Sequence, residues 1–245
     1  MKKILLSVFA ILILVACNKD ENNVQYNPYF TSIATVVNPN KSSEFSFRLD
    51  NYDLMWITET NFPNYEPADG QRIIANYKIL TVNNNSTLYN HKVYLNDVYE
   101  VLTKEIFMIS SVTQDSIGND RVQINSIWIG SHFLNVEFTY QGFNQIHFIN
   151  LVKDSTKTYS DGKVHLEFRH NANNDYPTYL KWGVISFKLS SLDTQATGDS
   201  INLVIHTREF ATPENVTYNL TYKFGSDGSS SIKSLTLPRE KNKLL

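Results

Sequence analysis

Glu137, His147, Glu167, Arg169 and His170 are the residues whose types and spacing come nearest to chemistry, carboxylates and imidazoles spread over three consecutive predicted strands. Two carboxyls about 5–5.5 Å or about 6.5–9.5 Å apart in a cleft would suit glycoside hydrolysis. A carboxylate beside imidazoles would suit a ligand or metal site. A plainer reading fits the same spacing. Over residues 164–170 the side chains of His165, Glu167 and Arg169 share one face while Leu166 and Phe168 take the other, and Glu137 likewise opposes Val136 and Phe138. Opposite charges on neighbouring strands contribute roughly 0.2–1 kcal/mol each, so a solvated charge ladder explains the pattern without a reaction. The sequence carries no Gly-x-Ser-x-Gly elbow, no His-Glu-x-x-His, no Gly-x-x-x-x-Gly-Lys and no Cys/His spacing suited to zinc. The expectation is a protein that is not an enzyme, with no cofactor and no metal.

The elements that position these residues read as strands. The chain has 245 residues, 42% apolar and 13% aromatic, enough to bury a core and too apolar for disorder. A formal net charge of −2 argues against a nucleic-acid partner held through phosphates. Hydrophobic periodicity is almost entirely two. Residues 30–37, 45–49, 72–82 and 91–98 alternate or run β-branched between Asn, Pro and Gly punctuation, and the 11-residue stretch 72–82 is long enough to bend around a barrel. Residues 99–108 are the one place for a short helix or crossover. Seven further strands begin near Arg121, with turns such as Ser-Asp-Gly at 160–162. The expected fold class is all-β, a small OB-like barrel over 28–107 followed by an antiparallel β-sandwich over 108–225; a single large sandwich is the alternative. Residues 226–245 read as a flexible tail with one possible extra strand at 232–237. On the barrel, segment 55–65 puts Trp56, Phe62 and Tyr65 in or near a loop. They are candidates for stacking against a sugar or a protein partner, or else ordinary core filling.

The lone cysteine, Cys17, follows two lysines and an apolar run from Ile4 to Ala16, too short to span a bilayer. Leu14-Val15-Ala16-Cys17 looks like a bacterial lipobox, which makes 1–16 a signal peptide and Cys17 the lipidated residue. The implied membrane anchor is the set of acyl chains on that thiol. Residues 17–27 form a polar tether. Its Lys19, Asp20 and Glu21 resemble the export signal that sends lipoproteins of Bacteroidetes to the outer face of the outer membrane. Asp-Ser steps at Ser116, Ser155 and Ser200 resemble the O-glycosylation sequence of that group, although Asp and Ser are also favoured at turns.

Further residues point to a family. Phe47-Arg48-Leu49-Asp50, Asp69-Gly70-Gln71-Arg72, Trp128-Ile129-Gly130, Leu134-Asn135-Val136-Glu137-Phe138, His147-Phe148-Ile149-Asn150 and Leu166-Glu167-Phe168-Arg169-His170, in this order along most of the chain, resemble the NigD-like lipoproteins of Bacteroidetes. The resemblance implies an N-terminal OB-like domain and a C-terminal β-sandwich, in agreement with the strand pattern. It implies little about activity. The expectation is an outer-membrane, surface-exposed lipoprotein that binds an extracellular protein or glycan; the alternative, from the bacteriocin operon behind the family's name, is an envelope accessory or immunity-type factor.

Overall fold

The computed structural model describes residues 28–38, 40, 44–82, 88–113, 117–195, 198–224 and 235. Cys17, Lys19, Asp20, Glu21 and Ser116 lie outside them, as does the tail apart from Leu235.

Five strands close a barrel: β1 (Tyr29–Val37), β2 (Ser46–Leu49), β3 (Leu54–Thr60), β4 (Arg72–Val82) and β5 (His91–Glu100). Their order is β1-β2-β3-β5-β4, with β4 returning to β1 and only the β3–β5 pair parallel. Period-2 side chains fill the interior, among them Val36, Phe47, Met55, Ile73, Tyr77 and Leu95. The long β4 bends as expected, through two register shifts against β5.

Nine strands form the sandwich: β6 (Leu102–Glu105), β7 (Phe107–Ile109), β8 (Gln123–Gly130), β9 (Phe133–Gly142), β10 (Phe148–Asp154), β11 (Val164–Asn171), β12 (Tyr179–Lys188), β13 (Ser200–Arg208) and β14 (Asn215–Lys223). One sheet runs β14-β13-β11-β10-β7 and the other β6-β12-β9-β8. Between them pack Leu134, Phe138, Leu166, Phe168 and Phe187, with the rings of Phe138 and Phe168 edge to face at 5.3 Å.

One element differs from the sequence reading. The stretch 99–108 holds no helix. It finishes β5, then pairs in parallel with β12 as β6 and with β10 as β7, so the connection satisfies its backbone groups on both sheets in turn. The sandwich sheets therefore begin at Leu102 rather than at residue 108. Strand β12 runs from Tyr179 because its register with β9 continues unbroken to Tyr179↔Gly142.

The β6-β12-β9-β8 sheet is covered on both faces. Its second face meets the barrel through Val184, Trp128 and Trp182, which pack with Ile33, Ile74, Val101 and the single described tail residue, Leu235. Beside this apolar patch lies a buried ion pair. Arg72 of β4 grips Asp50 with two hydrogen bonds, Nη1–Oδ1 at 2.6 Å and Nη2–Oδ2 at 3.0 Å, with side-chain exposures of 0% and 9%. Nη2 also donates to Asn135 Oδ1 on β9 at 2.9 Å, and Ser186 of β12 donates to the same oxygen at 2.7 Å. The Phe133 ring lies 4.4 Å from the guanidinium carbon. Gly130 permits the approach: a Cβ there would meet Asp50 Oδ2 at 2.1 Å.

Candidate functional site

The five charged and imidazole candidates do not meet at one place. Glu137 projects from the barrel-facing side of β9 and accepts a hydrogen bond from the Trp182 indole at 2.9 Å. Glu167 and Arg169 share the outer face of the β14-β13-β11-β10-β7 sheet, where Glu167 binds Lys157 at 2.6 Å and Arg169 Nε at 2.7 Å. Burial pushes the Glu167 carboxyl up, but the two cations outweigh it and hold it below its ordinary value. His165 of the same face contacts His206 at 2.8 Å and Asp161 at 3.0 Å, with the Tyr159 ring stacked flat at 3.5 Å. Burial first, and the neighbouring His165 second, push His206 down.

His147 and His170 do meet, at one end of the sandwich. The β10–β11 register pairs Ile149 with His170 and so carries His147, just ahead of β10, alongside it. His147 Nδ1 lies 2.7 Å from His170 Nε2, and the rings stack at 4.9 Å over Tyr140. His147 Nε2 donates to Asp175 Oδ2 at 3.0 Å, both side chains being 1% exposed. Two left-handed asparagines, Asn173 and Asn174 (φ 52° and 57°), turn the chain so that Asp175 reaches back. A Cβ on Gly142 would meet the His147 ring at 2.8 Å, so glycine makes room for the imidazole.

The chain of contacts closes on His170 Nδ1 and the Arg121 carbonyl at 3.3 Å. Acceptors therefore stand at both ends of the pair: a carboxylate beyond His147 and a carbonyl beyond His170. The Asp175 carboxylate can only accept, so the His147 ring donates to it, and the arrangement ties the two loops to the end of the sandwich. Asp175 also accepts from the backbone N–H of Phe143, of Asn144 at 3.2 Å and of Tyr176 at 3.0 Å, pinning two loops. Burial opposes its ionisation, but the Phe143 N–H, the His147 ring and the Asn144 and Gln145 N–H groups hold the carboxyl well below the usual range. Burial first and His147 second push His170 down to about 4, against Asp120 and the Arg121 carbonyl, which favour its charged form.

Beside His170 opens a cleft of about 360 Å³, lined by Asp120, Arg121, Gln141, Arg208 and Phe210 among others. Sequence reading passed over Asp175, Arg121 and Arg208. Their loop and strand-end positions carry no periodic signal, and the pairing of Val122 with Glu209 brings residues 121 and 208 together.

On the barrel the three aromatic candidates separate. Segment 54–60 is strand β3 rather than loop, and Trp56 points outward from it, 48% exposed. Its ring lies 6.1 Å from Tyr89, which precedes β5, and the Lys92 amine is 5.7 Å from the Tyr89 ring. Tyr65 instead packs against the barrel core at 5.8 Å from Phe45; burial, with Glu100 nearby, pushes its hydroxyl up to about 12. Phe62 is half-buried. Ser155 and Ser200 are exposed. The Ser155 hydroxyl donates to the Ile109 carbonyl at 2.8 Å, and that of Ser200 to Asp199 at 3.2 Å. Among the described residues no group of three or more His, Cys, Asp or Glu is arranged to hold a metal ion.

Comparison with known proteins supports this architecture. The NigD-like N-terminal OB domain matches residues 33–101 and the NigD-like C-terminal beta sandwich domain matches residues 105–222. No curated protein matches the chain. Among solved structures, a protein of unknown function from Bacteroides vulgatus is 26% identical with a TM-score of 0.73, over 89% of this chain and 100% of that one. A provisionally named toxin-related protein from Parabacteroides distasonis is 31% identical with a TM-score of 0.67, over 81% and 95%. A NigD-like immunity protein from Bacteroides caccae, 16% identical with a TM-score of 0.61 over 80% and 97%, shares the fold.

Proposed function

Starting from the chain's membership of the NigD-like family, we propose that it is a non-enzymatic, lipid-anchored outer-membrane protein, facing the cell exterior, whose barrel binds an extracellular protein or glycan. The observation that carries this is the outward face of β3 and the start of β5. There Trp56 stands half-exposed beside Tyr89 and Lys92, on the barrel face and loop that OB-folds use for ligands. Aromatic faces rimmed by few charges suit sugar rings and apolar protein anchors. Anchoring rests on the lipobox ending at Cys17, and exterior placement on Lys19-Asp20-Glu21.

Panning the mature chain against a glycan array and against surface-protein extracts tests the binding. Trp56→Ala is expected to weaken the captured ligand roughly tenfold or more, the size of one lost stacking contact of about 1–3 kcal/mol. The half-exposed position leaves the barrel core intact, so equal binding by the variant would overturn the assignment. Protease shaving of intact cells releases the protein if it faces outward and spares it if it faces the periplasm. A second reading, an immunity-type factor, draws on the 31% identical structure named as toxin-related. It predicts that a deletion strain becomes sensitive to a bacteriocin and that Trp56→Ala fails to restore protection.

A further inference from the structure

We infer that the cleft at the His170 end of the sandwich is a second binding site, one for an acidic sugar: a uronate-type ring whose carboxylate is taken by Arg121 and Arg208. The two arginines are already held in place. Arg121 Nη1 donates to the carbonyls of Glu209 at 2.7 Å and Thr212, and Arg208 Nη1 donates to Asn119 at 2.8 Å. Each guanidinium is anchored through Nη1 alone, so Nη2 and Nε have no protein partner among the described residues and remain as donors at the cleft wall. Holding one edge by backbone carbonyls reduces the side-chain entropy lost when the other edge takes a carboxylate.

The donors left over favour an anion. The Asp175 carboxylate at the cleft is taken up by His147 and three backbone N–H groups, whereas Nη2 and Nε of the two arginines are not taken up among the described residues. Asp120 Oδ2 is occupied by the Ala172 N–H at 2.7 Å, which leaves Oδ1 to accept from a hydroxyl, as does the exposed amide of Gln141. Phe210, half-buried in the wall, offers an apolar face for a sugar ring. A cavity of about 360 Å³ holds one or two sugar rings. Carboxylate capture, hydroxyl acceptors and a ring platform together describe a carboxylated sugar better than a peptide, which would need donors and acceptors for its backbone amides.

Titrating the lipid-free mature chain with trigalacturonate, followed by calorimetry and by NMR shift mapping, tests the site. Saturable binding is expected, weakened roughly tenfold or more for the carboxyl-reduced neutral trimer and for Arg208→Met, since a charge-assisted pair is lost in each. The Trp56 indole signal should stay in place as the trimer is added, which separates this site from the barrel. If Arg208→Met does not fold, the parent protein still decides: shifts confined to Gln141 and Phe210 support the cleft, and shifts at the Trp56 indole overturn it. Equal affinity for the neutral trimer overturns the proposal. So does a short glutamate peptide that binds as tightly as the sugar, or the absence of saturation up to ~10 mM trimer.

Discussion

Asp50→Ala will cost about 3–5 kcal/mol in urea unfolding, the penalty for leaving a buried charge without its partner. The Arg72 side chain is fully buried, and its remaining contacts are the neutral oxygens of Thr35 and Asn135 and the face of Phe133. Because the pair sits where β4 meets β9 and β12, the loss falls on the junction as well as on the barrel. The parent should unfold in one transition and the variant in two, with the barrel melting first. Gly130→Ala should act the same way, since its Cβ would occupy the space of Asp50 Oδ2. The double variant Asp50→Leu with Arg72→Met should recover most of the lost stability, because an apolar pair of similar volume avoids the desolvation cost. An Asp50→Ala loss below about 1 kcal/mol would show that the pair does not hold the junction.

Acid will weaken the sandwich at His170. Its folded-state value is about 4, against about 6.5 in an unfolded chain. Above pH ~6.5 neither state binds the proton and the stability is whole. As pH falls from there to about 4 the unfolded chain takes a proton that the folded one refuses, for a loss of up to about 3 kcal/mol. The groups facing the ring are His147 and Tyr140, with Asp120, the Arg121 carbonyl and, through His147, Asp175. Asp175 acts in the same direction at lower pH. Its carboxyl is held below the usual range, so its contribution is present above the unfolded value and is lost as pH falls through the folded one. His170→Gln should be less stable than the parent at pH 7 yet show a flatter profile between pH 6.5 and 4. His206 is shifted in the same direction, so His206→Gln serves as the control for its share. A parent profile flat across that window would contradict the buried neutral assignment of His170.

The residues behind these predictions were visible in the sequence with their roles hidden. Asp50, Arg72, Gly130 and Asn135 stand in the motifs that carry the family resemblance, yet a ladder or loop position says nothing of a partner 63 residues away, as Arg72 is from Asn135. Glu137, His147 and Glu167 lay on strands that alternation identified, but alternation assigns a side chain to a face and not to a sheet. Strand β9 went to one sheet, β10 and β11 to the other, and the candidate residues came apart. The charge ladder of Glu167 and Arg169 was legible because strand neighbours two residues apart share a face whatever the topology.

What the sequence determined by itself was local: the period-2 strands, the turns that separate them and the long bending β4, all of which depend on residues within a few positions of one another. Tertiary structure alone decided which loops meet. The Asp175–His147–His170 chain, the arginine pair at 121 and 208, and the junction of Arg72 with Asn135 each join segments distant in the chain. Such contacts follow from strand order and register, which backbone hydrogen bonding and core packing select collectively and no short window of sequence contains.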